Sequence, residues 1–252
     1  MTPQKLLMAI FAITALSLIG YSISSRSVNA EADETKPLAK ATAEQVETAV
    51  ETVETAKAED DNTQARPSPD GLEAFPVIAL GDKNAPVYLV EYASLSCGHC
   101  ADFHNTMLPQ IKEEFIDKGQ VYIEFRDFPT SKSGLEAAKL VRCMEPKRQY
   151  KFMDLLFQTQ EMWAFTEDKK PLFQHAKLAG MNDEAIESCL ADTELEEKML
   201  EGVKKAQAAY SVSSTPTVIA FPTNEKIQAV NNFKLVKKQI LRALENAKAE
   251  KE

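Results

Sequence analysis

The stretch EYASLSCGHC, Glu91 to Cys100, closes a short apolar run and sets two cysteines two residues apart. The chain has 252 residues and four cysteines, the other two being Cys143 and Cys189. A CxxC of this kind can be a redox pair, half of a metal site or a structural staple, and the surrounding pattern has to decide among them. Just before it, Val87 to Tyr92 (VYLVEY) follows the turn-forming GDKNAP, and a short apolar run bounded by turn residues reads as a buried strand. After it, Phe103, Met107, Ile111 and Phe115 recur every four residues up to DKGQ, the period of a helix with one buried face. Pro109 interrupts that pattern and is expected to kink the helix or leave a backbone bond unmade. A second strand is expected at Val121 to Phe128, and strand, helix and strand together make a parallel βαβ unit.

Further along, Ser133 to about Phe157 is helical by pattern, with Pro146 dividing it in two. Three more helices are expected at Lys169 to Ala179, Asp183 to Leu190 and Glu194 to Tyr210. Gly180 closes the first, and Asn182 and Asp183 open the second as capping residues. A strand at Thr217 to Phe221, a short strand at Lys226 to Val230 and a helix at Phe233 to Ala247 complete the chain. The fold class is α/β: a small sheet with a helical insertion at about residues 131–211.

The chain before this unit has a different composition. Residues 1–30 contain Lys5, then a nearly unbroken apolar run from Leu6 to Tyr21, then small residues at Val28-Asn29-Ala30. This reads as an export signal cleaved after Ala30, the alternative being an uncleaved anchor that tethers the chain to a membrane. Residues 31–70 hold eleven acidic residues against four basic ones and no aromatic, too little apolar surface to offset the entropy of ordering. They read as a mostly disordered acidic linker, within which Val46, Val50 and Val53 mark a transient helix or a short self-association seam. RPSPDG, Arg66 to Gly71, is the break before the folded unit at 71–252. The formal net charge is −9 and no basic stripe exists, which leaves nucleic-acid binding without an electrostatic footprint.

A cysteine at the start of a helix meets unpaired backbone N–H groups and a partial positive charge. Both stabilise the thiolate and pull its pKa from about 8.5 toward roughly 3.5–7.5. Cys97 is therefore the expected nucleophile, and Cys100, one turn on, can attack a mixed disulfide formed at Cys97. His99 between them is expected to favour the thiolate and make the pair more oxidising. His104 and His175 read as helix-surface residues. A zinc site needs four ligands, and neither a second CxxC nor an HxxxH partner is present. A purely structural CxxC bridge closes too small a ring to stabilise much.

The strand, Cys-Gly-His-Cys and helix, with the helical insertion and the late SSTPTVI (Ser213 to Ile219), resemble the DsbA-like branch of the thioredoxin superfamily over roughly Pro76 to Lys248. The resemblance implies a thioredoxin-like fold with an inserted helical domain and no cofactor or metal. It implies that Pro216 is cis and lies against the Cys97–Cys100 disulfide, and that the backbone of Thr215 pairs with bound peptide. It also implies an acidic residue beneath the cysteines, which falls on Glu91. A buried carboxylate there can take the proton of Cys100, whereas a Glu91 at the sheet edge would simply be solvated.

The implied partners are reduced or unfolded exported proteins and a membrane quinone-linked reoxidase, in a periplasmic or other extracytoplasmic compartment. Gly98 departs from the Pro-His dipeptide of the strongest bacterial oxidases and is closer to disulfide isomerases, so oxidase, isomerase and reductase stay open. A thiol-based copper-binding assembly factor is the reading from another class, although Met107, Met144, Met153 and Met162 fall on apolar helix positions and read as core. An exported chain tends to pair its spare cysteines, so Cys143 and Cys189 are expected to form a structural disulfide, the alternatives being two buried thiols or a second relay.

Overall fold

The structure is a computed structural model, and it describes residues 68–69, 71–72 and 74–249. The expected export signal, the acidic linker and the valine seam lie outside the described residues.

Five strands form one sheet in the order β1-β3-β2-β4-β5: β1 (Ile78–Leu80), β2 (Val87–Ala93), β3 (Val121–Asp127), β4 (Thr217–Phe221) and β5 (Glu225–Lys226). The central pair, β2 and β3, is parallel with Val87 opposite Val121 and Ala93 opposite Asp127. Both strands are buried over their first six residues, because a parallel pair covered on both faces has no solvent side. Strand β4 runs antiparallel to β2 and sets Val218 beside Glu91 and Thr217 beside Tyr92.

Alternate strand residues point to opposite faces. Leu89, Ile123 and Phe125 enter one core, shared with the helix after the CxxC, most of the insertion and the closing helix α8 (Phe233–Ala249). Tyr88, Val90, Tyr92, Tyr122 and Ile219 enter a second core, covered by Ala206 and Val212.

The second core carries a polar network. Glu124 Oε2 accepts from the Tyr88 hydroxyl at 2.7 Å and its Oε1 accepts from Arg126 Nε at 2.8 Å, while Arg126 Nη1 donates to the Tyr92 hydroxyl at 2.7 Å and Nη2 to Ser68 Oγ. A buried carboxylate with these partners has its charge compensated.

The helix after the CxxC, α1, is not a plain α-helix. It runs from Gly98 to Ile116, alternating α-helical segments (Gly98–Asp102, Leu108–Ile111) with π-helical turns (Phe103–Met107, Lys112–Ile116). Pro109 has no N–H to donate, and just before it Leu108 N–H bonds to Phe103 O, five residues back. The irregularity expected at the proline takes this form. The wider turn also brings Leu108 into the core alongside the stripe of Phe103, Met107, Ile111 and Phe115.

The insertion comprises α2 (Lys132–Cys143), α3 (Pro146–Gln158), α4 (Gln160–Trp163), α5 (Lys170–Leu178), α6 (Asp183–Ala191) and α7 (Thr193–Tyr210). Ser131, Asn182 and Asp192 cap α2, α6 and α7 by accepting from Gly134, Ala185 and Leu195 N–H. Pro146 stands at the start of α3, where a missing donor costs nothing.

Four readings need correction. The strand expected at Lys226 to Val230 is only the two-residue β5, since Ala229 has positive φ and the chain turns there. Strand β1 had no sequence signal beyond the three residues IAL. His104 and His175 are both 3% exposed rather than on the surface, and Met162 is 36% exposed while Met107, Met144 and Met153 are core. No helix among the described residues is long and apolar enough to cross a membrane.

Candidate active site

Strand β2 ends at Ala93, and four residues carry the chain from there to α1. Cys97 N–H donates to Ser94 O at 3.0 Å, and Cys97 stands at the N-cap with extended backbone (φ −87°, ψ 118°), its carbonyl accepting from Cys100 N–H at 2.9 Å and Ala101 N–H at 3.1 Å. This loop is fastened to the start of the insertion. Ser94 Oγ accepts from the N–H and the hydroxyl of Thr130, and Ser96 Oγ lies 2.7 Å from Ser131 Oγ. Gly134 permits the approach: a Cβ there would stand 2.6 Å from Ser96 Oγ and 2.8 Å from Ser94 Oγ.

Cys97 and Cys100 are free thiols in unequal surroundings, Cys97 half-buried and Cys100 0% exposed. As a thiol, Cys97 Sγ donates to Thr215 O at 3.4 Å. As a thiolate it takes a hydrogen bond from the Cys100 thiol, then from Thr215 and from the backbone N–H groups of Cys100 and His99. Partial burial opposes these bonds, and together they hold the Cys97 pKa at about 5. Cys100 is pushed far up, first by burial, then by its bond to Cys97 and by the charge of Glu91.

The residues expected at the site are brought together. The Thr215–Pro216 peptide bond is cis, and Thr215 lies against Cys97 from the far side of the insertion. Glu91, on β2, is 0% exposed rather than at a solvated edge, and its charge acts on Cys100. His99 reaches the Cys97 sulfur through its backbone N–H, while its side chain is exposed at the rim of an open groove lined by Phe103, Thr215, Pro216, Ile227 and Val230.

Two participants had no sequence signal. His104 Nε2 lies 3.1 Å from Glu91 Oε2, both side chains fully buried, with the imidazole stacked on Phe157 at 4.0 Å between ring centres. Glu91 Oε1 and His104 Nδ1 are left without hydrogen-bond partners. Burial pushes the Asp154 carboxyl on α3 up, opposed by its proximity to His104 and by the hydrogen bond from Gln158. Gln160, at the start of α4, donates its side-chain amide to Leu95 O at 2.7 Å and to Cys97 O at 3.0 Å.

Cys143 and Cys189 are bonded to each other, with Cα atoms 6.2 Å apart, linking the end of α2 to α6. Among the described residues no group of three or more His, Cys, Asp or Glu stands together to hold a metal ion.

A strand leading into a CxxC at a helix start, faced by a cis-proline loop from the next antiparallel strand, is a thiol-exchange geometry. Residues 74–241 match the family model described as Thioredoxin. The chain belongs to the thioredoxin family. Within that family its sheet with a helical insertion is the DsbA-like arrangement: it superposes on the crystal structure of Wolbachia pipientis alpha-DsbA1 with a TM-score of 0.64 at 27% identity, covering 76% of this chain and 99% of that one.

A Rickettsia typhi relative named as a protein-disulfide oxidoreductase is 28% identical over 171 residues. That match takes in 67% of this chain and 62% of the relative, so less than two thirds of the relative's length is covered. A Bacillus cereus protein named "Probable disulfide bond formation protein D" is 31% identical over 148 residues, 56% of this chain and 68% of that protein.

Proposed function

We propose that this chain is an exported thiol–disulfide oxidoreductase that passes a Cys97–Cys100 disulfide to the thiols of reduced exported proteins. The observation that carries the reading is the unequal placement of its two free thiols, Cys97 half-buried at the N-cap of α1 against the cis-proline loop and Cys100 fully buried behind it, an arrangement that lowers the pKa of the first and raises that of the second.

In the forward direction a substrate thiolate attacks Cys97 Sγ. The Cys97–Cys100 bond breaks, and its electron pair goes to Cys100, which takes up a proton. A second substrate thiolate then attacks the substrate sulfur of the mixed disulfide, and Cys97 leaves as a thiolate. Two substrate thiols are oxidised to a disulfide and the enzyme disulfide is reduced to the dithiol. The acidity of Cys97 matters most in the second step, because a low-pKa thiol leaves faster and a stabilised thiolate makes the disulfide a stronger oxidant.

Glu91 is the proton donor to, and acceptor from, Cys100. The backbone of Thr215 beside cis-Pro216 pairs with the extended substrate in the groove, and His99 faces that substrate from the rim. Residues 1–30 serve as the export signal or as a tether, residues 31–70 as a spacer, and a membrane reoxidase restores the disulfide.

The test is the redox equilibrium of the chain against glutathione, read by alkylation and mass spectrometry at Cys97 and Cys100. A potential well above about −270 mV supports a disulfide donor. A potential near that value overturns the donor role and leaves a reductase, or an isomerase that rests reduced.

A further inference from the structure

We infer that Gln160 is a positioning residue through which the helical insertion holds the Cys97 loop in its thiolate-favouring form. The inference rests on the thiol-exchange reading above. Gln160 is 4% exposed and stands 63 residues from Cys97, yet its single amide nitrogen donates to two carbonyls of the loop that presents the nucleophile, Leu95 O and Cys97 O. One is the carbonyl of the sulfur-bearing residue itself and the other lies two residues before it, and Cys97 O also accepts from Cys100 and Ala101 N–H.

Carbonyl oxygens carry partial negative charge, which disfavours a thiolate nearby. A buried donor that draws on that charge favours the anion. The clamp also fixes the loop so that His99 and Cys100 N–H groups point at the sulfur, and these are among the bonds that keep Cys97 acidic. Without Gln160 the two carbonyls must either stay buried with a partner missing or turn toward water and carry the loop with them. Both outcomes weaken the thiolate.

Gln160 is well placed for this, because α4 has its own anchors. Trp163 is 2% exposed with its indole N–H on Leu156 O, and Ser133 Oγ donates to Ala164 O, tying the far end of α4 back to the start of α2.

The experiment uses the full chain, reduced, with Gln160→Leu and the similarly sized, uncharged Gln160→Met, each of which removes the donor without adding a charge near the sulfur. The Cys97 titration is followed by ultraviolet thiolate absorbance and by the pH dependence of alkylation, and each variant is equilibrated with glutathione. We expect each folded variant to be about a tenfold weaker acid at Cys97 and about tenfold more disulfide-favouring against glutathione, about 30 mV less oxidising. Thr159→Val, which removes only a hydroxyl bonded to Leu155 O in the same region, leaves both readouts unchanged.

Trp163 is the chain's one tryptophan, so its fluorescence reports whether the insertion is still folded. If Gln160→Leu does not fold, Gln160→Met decides. A folded variant that keeps the wild-type midpoint and glutathione equilibrium overturns the inference, and so does Thr159→Val moving them as far as the Gln160 variants do. A wild type whose Cys97 titrates in the ordinary thiol range overturns the parent reading instead.

Discussion

The two cysteine pairs of this molecule share one chemistry and differ in bonding and in the groups that reach their sulfurs. Cys143 and Cys189 lie 46 residues apart in sequence, bonded across two helices, Cys143 exposed and Cys189 buried. Cys97 and Cys100 are three apart at a strand-to-helix junction, free, Cys97 half-buried and Cys100 buried, with Thr215 of the groove wall against Cys97. What separates a staple from a working pair here is the distribution of charge and hydrogen bonds around the sulfurs. Backbone N–H groups, Thr215 and the Cys100 thiol converge on Cys97, whereas Cys189 is surrounded by the helical core.

The comparison breaks most sharply on Cys97→Ser, which should abolish disulfide transfer to a reduced peptide. Replacing both Cys143 and Cys189 with alanine should leave that transfer intact, both measured by the rate of substrate thiol loss. The acidities come next. Alkylation of Cys97 should show a midpoint near pH 5, against about 8.5 for an ordinary thiol, a difference of roughly three orders of magnitude in acid dissociation. Because the folded pKa is the lower one, the reduced protein gains stability as pH rises from 5 toward the ordinary thiol range and loses it as pH falls through 5. Cys100, shifted upward, is protonated in both folded and unfolded chains through most of that window; as pH enters the ordinary thiol range it ionises in the unfolded chain only, and the gain from Cys97 is then offset.

Third in size is the staple itself. Cys143→Ala with Cys189→Ala should lower unfolding stability by about 3–4 kcal/mol in denaturant titrations, the entropy of closing a loop of this length. The smallest effect sharpens the contrast inside the working pair. Glu91→Gln should slow closure of a Cys97–glutathione mixed disulfide by Cys100 about tenfold near neutral pH. It should leave the Cys97 midpoint in place, since Glu91 acts on Cys100 and not on the bonds that hold the Cys97 thiolate.

Much of this was legible in the sequence because it is written in periodicity. The runs VYLVEY and VYIEFRDF and the apolar stripes of the insertion gave strands and helices within a few residues of those observed. The positions of Cys97 and Cys100 were legible because a CxxC after a strand and before a helical stripe carries its meaning locally, whereas a cis Pro216 was expected only from the family resemblance. His104 was not, for it stands one step off the Phe103–Met107 stripe, and a π-turn set by the proline downstream widens the buried face beyond that stripe. Gln160 was not either, because one glutamine in a helical region acquires its role only when the insertion folds back onto Leu95 and Cys97. Strand β1 was missed because three residues, Ile78–Leu80, are too few for a pattern.

The Cys97 sulfur and the Thr215 carbonyl that touches it are separated by 118 residues of chain. On a ribosome, the CxxC therefore emerges while its counterpart is still unsynthesised. Closing so long a loop depends on the intervening helices first drawing its ends together. A half-made chain lacks the Thr215 contribution, and until the insertion docks it also lacks the clamp on Cys97 O. The nascent cysteine is then a weaker acid and a poorer leaving group than the finished one, and the oxidising character of this site is acquired late, when the chain is long enough to control it.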